Sequence, residues 1–93
     1  MQERRNELLN ELARIVKQKR KQHKKSISRL SNEIELSKSI WSELEKGHKD
    51  IQISTFWRIA EALDMKPSQL LKEVEDGIGK RFSFLENIPA QKD

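Results

Sequence analysis

The sequence predicts an all-α protein whose five helices form one compact domain. Apolar residues recur every three or four positions in five separate stretches, which is the periodicity of amphipathic helices. Serine, glycine or proline stands where most of these stretches begin or end, as at helix termini. Apart from Phe82, Ser83 and Phe84, no segment alternates as a strand does. Because 93 residues bury one modest core, we expect a domain over residues 1–76 and a tail over residues 77–93.

The first predicted helix runs from Glu3 to about Gln22, a stretch without glycine or proline. Leu8, Leu12 and Val16 recur along it at helical spacing. Its last turns lie in a basic run, residues 17–25, which holds six Lys or Arg and no acid, whereas the remainder of the chain sums to −2. Lysines suit a helix C-terminus. A positive charge concentrated in one short run also suits a polyanionic partner.

The second predicted helix is short and begins at a serine cap. Either Ser26 or Ser28 can accept the first backbone N–H groups, and Ile27, Leu30 and Ile34 then share one face. A connection of about four residues leads to the next helix.

The third predicted helix lies in the segment SKSIWSELEKG and starts after Ser37 as its N-cap. Ile40, Trp41 and Leu44 fall within about 100° of one another on the helix, so it buries one narrow stripe. Gly47 is placed to end the helix in a left-handed conformation. The opposite face carries Ser39, Ser42 and Lys46.

The fourth predicted helix has apolar residues over a wide arc, which is typical of a helix central to the core. Those residues are Ile53, Phe56, Trp57, Ala60 and Leu63.

The fifth predicted helix starts at Pro67, a residue favoured at the first helical position, and ends at Asp76-Gly77. Its apolar residues are Leu70, Leu71 and Val74. The tail that follows is too apolar to be purely solvating, so we expect it to pack within one chain or across a dimer interface. Its large apolar residues are Phe82, Phe84, Leu85 and Ile88.

The second and third helices and their short connection form a helix-turn-helix pattern, which many small helical bundles also contain. Beyond that pattern, SISRLSNEIELSKSIWSELEKG and ISTFWRIAEALDMKPSQLL resemble the lambda-repressor/Cro-like (xenobiotic-response-element type) helix-turn-helix family of prokaryotic and phage regulators. The resemblance covers roughly residues 12–72 and includes the Ser-x-Ser at 37–39 and the Leu-Glu-x-Gly at 44–47. It implies a transcriptional regulator that binds double-stranded DNA sequence-specifically, with residues 37–46 as a recognition helix in the major groove.

The resemblance also assigns roles to individual residues. Those that face base edges or the adjacent backbone are Ser37, Lys38, Ser39, Ser42 and Glu43, and their side chains have suitable donors and acceptors. Those that contact phosphate are Lys24, Lys25, Ser26, Lys46, His48 and Lys49. Arg20 and Glu45 correspond to an ion pair inside the domain.

Several positions depart from the family pattern, among them Ile27, which replaces a commonly polar residue, and Lys19 and Lys25, which replace commonly apolar ones. Glu35 stands where the family commonly has a glycine with positive φ, and Trp41 replaces a smaller aliphatic core residue. Glu43 has no partner in this scheme, so it either reads cytosine or keeps non-specific affinity low.

Other classes of function have little support in the sequence. The chain has no cysteine, and we expect His23 and His48 at the surface, so we predict no metal, no cofactor and no enzymatic activity. No stretch is long and apolar enough to cross a membrane, which leaves the cytoplasm as the expected compartment.

We expect a homodimer on a pseudo-palindromic site. Two alternatives remain open at this point. One is an antitoxin or a restriction-modification controller with the same fold. The other is a protein-interaction module that has lost DNA binding and docks through its acidic fourth and fifth helices.

Overall fold

The computed structural model describes residues 2–85, which form five α-helices and no strand. The helices are α1 Gln2–Gln22, α2 Ile27–Glu33, α3 Lys38–Glu45, α4 Ile53–Ala62 and α5 Pro67–Ile78. The prediction of an all-α, five-helix domain with a helix-turn-helix at α2 and α3 is confirmed. None of the helices in this part of the chain is both long and apolar enough to span a membrane.

The core forms where α1 packs against both α3 and α5, while α2 packs against α3 and α4 against α5. Removing a large aliphatic side chain from water contributes about 1.5 to 3 kcal/mol, so this cluster is the main source of stability. Its buried members are Leu12, Ile15, Val16, Leu30, Trp41, Leu44, Ile59, Ala60, Ala62, Leu63, Leu70 and Val74.

Serine side chains cap both helices of the helix-turn-helix unit. The Ser26 hydroxyl accepts a hydrogen bond from the Arg29 backbone N–H at 3.0 Å, so Ser26 rather than Ser28 is the cap of α2. The Ser37 hydroxyl accepts from the Ile40 N–H at 3.2 Å. Each cap satisfies an N–H group that the helix itself leaves unpaired.

The turn between α2 and α3 contains a residue in the left-handed region. Glu35 has φ +52°, the conformation expected from its correspondence with a family glycine, at a cost of roughly 1 to 2 kcal/mol for a non-glycine residue. Two hydrogen bonds hold the turn. The Leu36 N–H donates to the Ser31 carbonyl at 2.9 Å, and the Arg58 guanidinium of α4 donates to the Ile34 carbonyl at 3.0 Å.

The prediction that the apolar arc of α4 lies in the core is wrong at two positions, and Leu71 of α5 is exposed as well. Ile53 is 75% exposed, Trp57 is 54% exposed and Leu71 is 55% exposed. The buried side of α4 instead includes Thr55 and Ile59. Apolar periodicity shows which way a helix face points, but it does not show how far neighbouring helices extend over that face. No other helix of residues 2–85 covers the edge formed by Ile53, Trp57 and Leu71.

Helix α5 is longer than predicted, since it continues through Ile78 and ends at Gly79, which has φ +94°. Residue 77 therefore lies inside the helix. A Cβ at Gly77 would meet the end of the Glu11 side chain of α1, which can move aside.

The described part of the tail, residues 79–85, folds back onto the start of α1. The Arg4 guanidinium donates to the Ser83 carbonyl at 2.8 Å, and the Phe82 and Phe84 rings meet edge to face at 5.4 Å. Phe82 is partly buried, whereas Phe84 is 36% exposed and Leu85 is 60% exposed, so packing of the tail within one chain or across a dimer interface stays a prediction. Ile88 lies outside the described residues.

Candidate nucleic-acid interface

Helix α3 has one buried side and one polar side. Trp41 and Leu44 are completely buried, whereas Ser37, Lys38 and Ser39 are exposed at its N-terminus. Ser42 and Glu43 are partly exposed on the next turn. All five residues predicted to approach base edges or the nearby backbone are thus accessible from outside.

A network of charge-assisted hydrogen bonds fixes α3 to α1. The Glu45 carboxylate accepts from Arg20 Nε at 2.6 Å and from Arg20 Nη2 at 3.0 Å, which confirms the predicted ion pair. The side chains are 15% and 5% exposed respectively. The hydrogen bond with Glu45 raises the pKa of Arg20 above its usual value. A bidentate pair of this kind holds its two helices in a defined orientation.

Two further contacts extend this network. The Trp41 indole N–H donates to Glu45 Oε2 at 2.7 Å, and Arg20 Nη1 donates to the Lys25 carbonyl at 3.1 Å. The same guanidinium therefore joins α3 to the segment that precedes α2. The i, i+4 spacing of Trp41 and Glu45 on one helix permits the Trp41 contact.

Among residues 2–85, Glu43 has no arginine partner of the kind that Glu45 has, but it pairs with two residues close to it in sequence. Its Oε2 lies 3.3 Å from Lys46 Nζ, and its Oε1 lies 3.5 Å from His48 Nδ1. The hydrogen bond and charge of Lys46, with a smaller effect of His48, lower the pKa of Glu43. The i, i+3 spacing of Glu43 and Lys46 is the signal that predicts this pair.

The residues predicted to contact phosphate form two groups. The first precedes α2 and consists of Lys24, Lys25 and Ser26, and of these Lys25 places its Nζ 3.5 Å from Glu33. The carboxylate offsets part of that lysine's charge. The second group follows α3 and comprises the exposed Lys46, His48 and Lys49.

Part of the basic run serves the fold instead of forming a free cationic surface. Besides Arg20, Lys19 places its Nζ 3.2 Å from Glu73 of α5. Within residues 2–85, Lys17, Lys21 and Lys24 are exposed and have no carboxylate within ion-pair distance. The cationic surface is therefore smaller than the sequence run suggests.

His23 is not a simple surface residue. Its Nε2 is hydrogen-bonded to the Leu63 carbonyl at 2.9 Å, and its Nδ1 lies 3.8 Å from Asp64. It thus joins the end of α1 to the end of α4. The partner is a backbone carbonyl 40 positions away, so no side-chain pattern in the sequence indicates the contact.

Helix α3 is capped and buried on one side, and its outer face is polar. A short turn precedes it, and cations lie on either side of it. This arrangement is typical of helix-turn-helix DNA-binding domains. The family model described as a helix-turn-helix domain matches residues 13–76, more than half of the chain. The chain belongs to this Cro/lambda-repressor-like helix-turn-helix family. Neither curated proteins nor solved structures gave a significant match.

Proposed function

We propose that this protein is a transcriptional regulator that binds double-stranded DNA sequence-specifically, with the segment 37–46 in the major groove. The observation that carries the proposal is the placement of Ser37, Lys38 and Ser39 at the exposed N-terminus of α3. In helix-turn-helix domains, the first residues of this helix are the ones that reach base edges.

In the proposed complex, the residues of α3 and those around it have different tasks. Lys38 donates to guanine O6 and N7, and Ser39 and Ser42 pair with either kind of edge group. Lys24, Ser26 and Lys49 bind phosphate and set the register without reading sequence. The Ser26 hydroxyl already accepts from Arg29, so it can still donate its own proton to a phosphate oxygen.

Selection of bound duplexes from a random pool tests the proposal. We expect enrichment of a pseudo-palindrome whose half-sites lie about one helical turn apart, or a multiple of it. Repeating the selection with Ser39→Ala should change the preference at one position per half-site by about 1 to 3 kcal/mol. The matched control is Ser54→Ala on α4, which should leave the enriched site unchanged. If no sequence is enriched, the proposal is wrong.

We also propose that the protein acts as a homodimer. The three exposed apolar residues of α4 and α5 support this, because a monomer rarely leaves such an edge in water. Two of them, Ile53 and Leu71, line a groove of about 310 Å³ together with residues that include Leu8, Leu12 and Phe56. Protruding side chains next to a groove suit a twofold interface, in which each copy can fill the groove of the other. Sedimentation of wild type and Leu71→Lys tests this, since the variant should be more monomeric.

The apolar edge also fits the alternative of an antitoxin or controller that binds a protein partner. Co-purification from the native host distinguishes a homodimer from a complex with another protein. A stoichiometric partner that is lost from the Leu71→Lys variant would show that the apolar edge binds that partner.

We propose a cytoplasmic location, where DNA is accessible, and no enzymatic activity, cofactor or metal.

A further inference from the structure

The carboxylate of Glu43 lies between two cations beside the exposed face of α3. One oxygen faces Lys46 Nζ at 3.3 Å and the other faces His48 Nδ1 at 3.5 Å. All three side chains are about half exposed, so they are accessible to a ligand. Lys46 and His48 are two of the residues assigned to the DNA backbone, whereas Lys49, next along the chain, has no carboxylate at ion-pair distance among residues 2–85.

We propose that Glu43 is an intramolecular counter-ion that occupies Lys46 and His48 in place of phosphate and so weakens binding to non-cognate DNA. This inference rests on the proposed function. Glu43 is then a specificity-determining residue. It makes the binding free energy of non-cognate sequences less favourable, in addition to any contact that it makes with the cognate sequence.

Competition for the same cations is the physical basis. Binding of a phosphate by Lys46 replaces the carboxylate as its partner and leaves Glu43 beside the negatively charged backbone. The favourable release of counter-ions from DNA is then offset by the loss of the internal pair and by repulsion of the carboxylate.

A cognate sequence can reduce this cost. A carboxylate accepts a hydrogen bond from the amino group of cytosine, which is the only strong donor that a C·G pair offers it in the major groove. A duplex with cytosine opposite Glu43 compensates the carboxylate, and Lys46 and His48 become available to phosphate. A duplex without it leaves the charge uncompensated. The penalty therefore falls mainly on non-cognate sites.

Fluorescence anisotropy with a labelled random-sequence duplex and with the selected duplex measures this effect. Glu43→Gln should tighten binding to the random duplex by roughly three- to tenfold and make the slope of log affinity against log salt steeper by about one to two. Binding to the selected duplex should tighten less or weaken. The matched control is Glu75→Gln on α5, which removes an equal charge from an exposed helix position and should change random-duplex affinity less than about twofold.

A double-mutant cycle distinguishes the pairing of Glu43 with Lys46 and His48 from simple repulsion between the Glu43 carboxylate and the phosphates. In a Lys46→Gln/His48→Gln background, Glu43→Gln should tighten random-duplex binding clearly less than it does in the wild-type background, since only the repulsion between the carboxylate and the phosphates remains. If the gain persists in full, the carboxylate acts only through its distance from the phosphates and the inference is wrong. A Glu43→Gln effect confined to one base position, with random-duplex affinity unchanged, also overturns it.

The inference and the proposed function fail in different ways. If wild type and Glu43→Gln both bind no duplex at low salt while remaining folded by circular dichroism, both are wrong. If wild type selects a palindrome and Glu43→Gln leaves random-duplex affinity unchanged, only the counter-ion inference is wrong. Because Glu43 is half exposed, we expect the variant to fold normally.

Discussion

Glu43 and Glu45 lie two residues apart on α3, yet their surroundings differ. The Glu45 side chain is 5% exposed and accepts hydrogen bonds from Arg20 of α1 and Trp41 of its own helix. The Glu43 side chain is 45% exposed and, among residues 2–85, pairs with its near neighbours in sequence, Lys46 and His48. One acid joins helices, and the other modifies a surface. Position on the helix therefore decides whether a glutamate links two helices or lies at the protein surface.

The largest effect that distinguishes the two acids is on unfolding. Glu45→Ala leaves the Arg20 guanidinium and the Trp41 indole N–H without their shared acceptor, in a site that is largely closed to water. We expect a loss of about 3 to 5 kcal/mol in the free energy of unfolding, measured by urea denaturation. Glu43→Ala should change it by less than about 0.5 kcal/mol. Equal losses from the two variants would contradict the comparison.

The end of α3 next to Glu45 should be the second most sensitive position. Gly47 has φ +77°, and a Cβ there would collide with the Asn10 amide oxygen and lie 3.2 Å from its Cγ. We expect Gly47→Ala to lower the free energy of unfolding by about 1 to 3 kcal/mol. Adding Asn10→Ala should recover part of that loss by removing the collision, while the backbone strain remains. No recovery would mean that backbone strain alone explains the loss.

Ser31 of α2 contrasts with Glu45, since it is a buried polar residue without a hydrogen-bond partner in the described part of the chain. Its hydroxyl is enclosed and makes no hydrogen bond within residues 2–85. We expect Ser31→Ala to raise the free energy of unfolding by about 1 kcal/mol, because it removes a desolvated, unsatisfied group. Ser54→Ala, at an exposed position of α4, is the control for helix propensity and should raise the free energy of unfolding by about 0.5 kcal/mol or less. A destabilised Ser31→Ala would indicate a hydrogen-bond partner such as a bound water.

The sequence predicts most of the helical framework because that framework depends on local signals. The caps Ser26 and Ser37, the stop at Gly47 and Pro67 at the start of α5 all follow from backbone requirements that a few adjacent residues satisfy. The Arg20–Glu45 pair is different, since its prediction came from the family resemblance. Sequence spacing alone does not show that two residues on different helices form an ion pair.

Contacts that depend on how helices meet are the ones that the sequence does not predict. The exposure of Trp57 is set by where neighbouring helices end, and the bond between His23 and the Leu63 carbonyl joins two helix ends that are distant in sequence. At the interface itself, the polar residues of α3 were predictable from helical geometry. The pair between Glu43 and Lys46 has the i, i+3 spacing at which opposite charges on one helix meet.

The smallest expected effect concerns the titration of Glu43. Its pKa is lowered in the folded protein, chiefly by the hydrogen bond with Lys46, so the pair stabilises the fold at pH values above the unfolded pKa. That stabilisation decreases as the pH falls through the lowered, folded-state pKa. We therefore expect any difference in stability between wild type and Glu43→Gln to be small at pH 7 and to decrease further in acid.

The pKa of Glu43 can be measured directly by NMR from the pH dependence of its side-chain carboxyl carbon. Lys46→Gln should return that pKa towards the ordinary glutamate value, because it removes the largest cause of the shift. Lys49→Gln is the matched control, with the same charge change three residues further along, and should move the pKa less. If the two variants have equal effects, the general positive field of this surface holds the carboxylate ionised. The specific pair with Lys46 would then not distinguish Glu43 from any other acid on the same face, and its comparison with Glu45 would rest on burial alone.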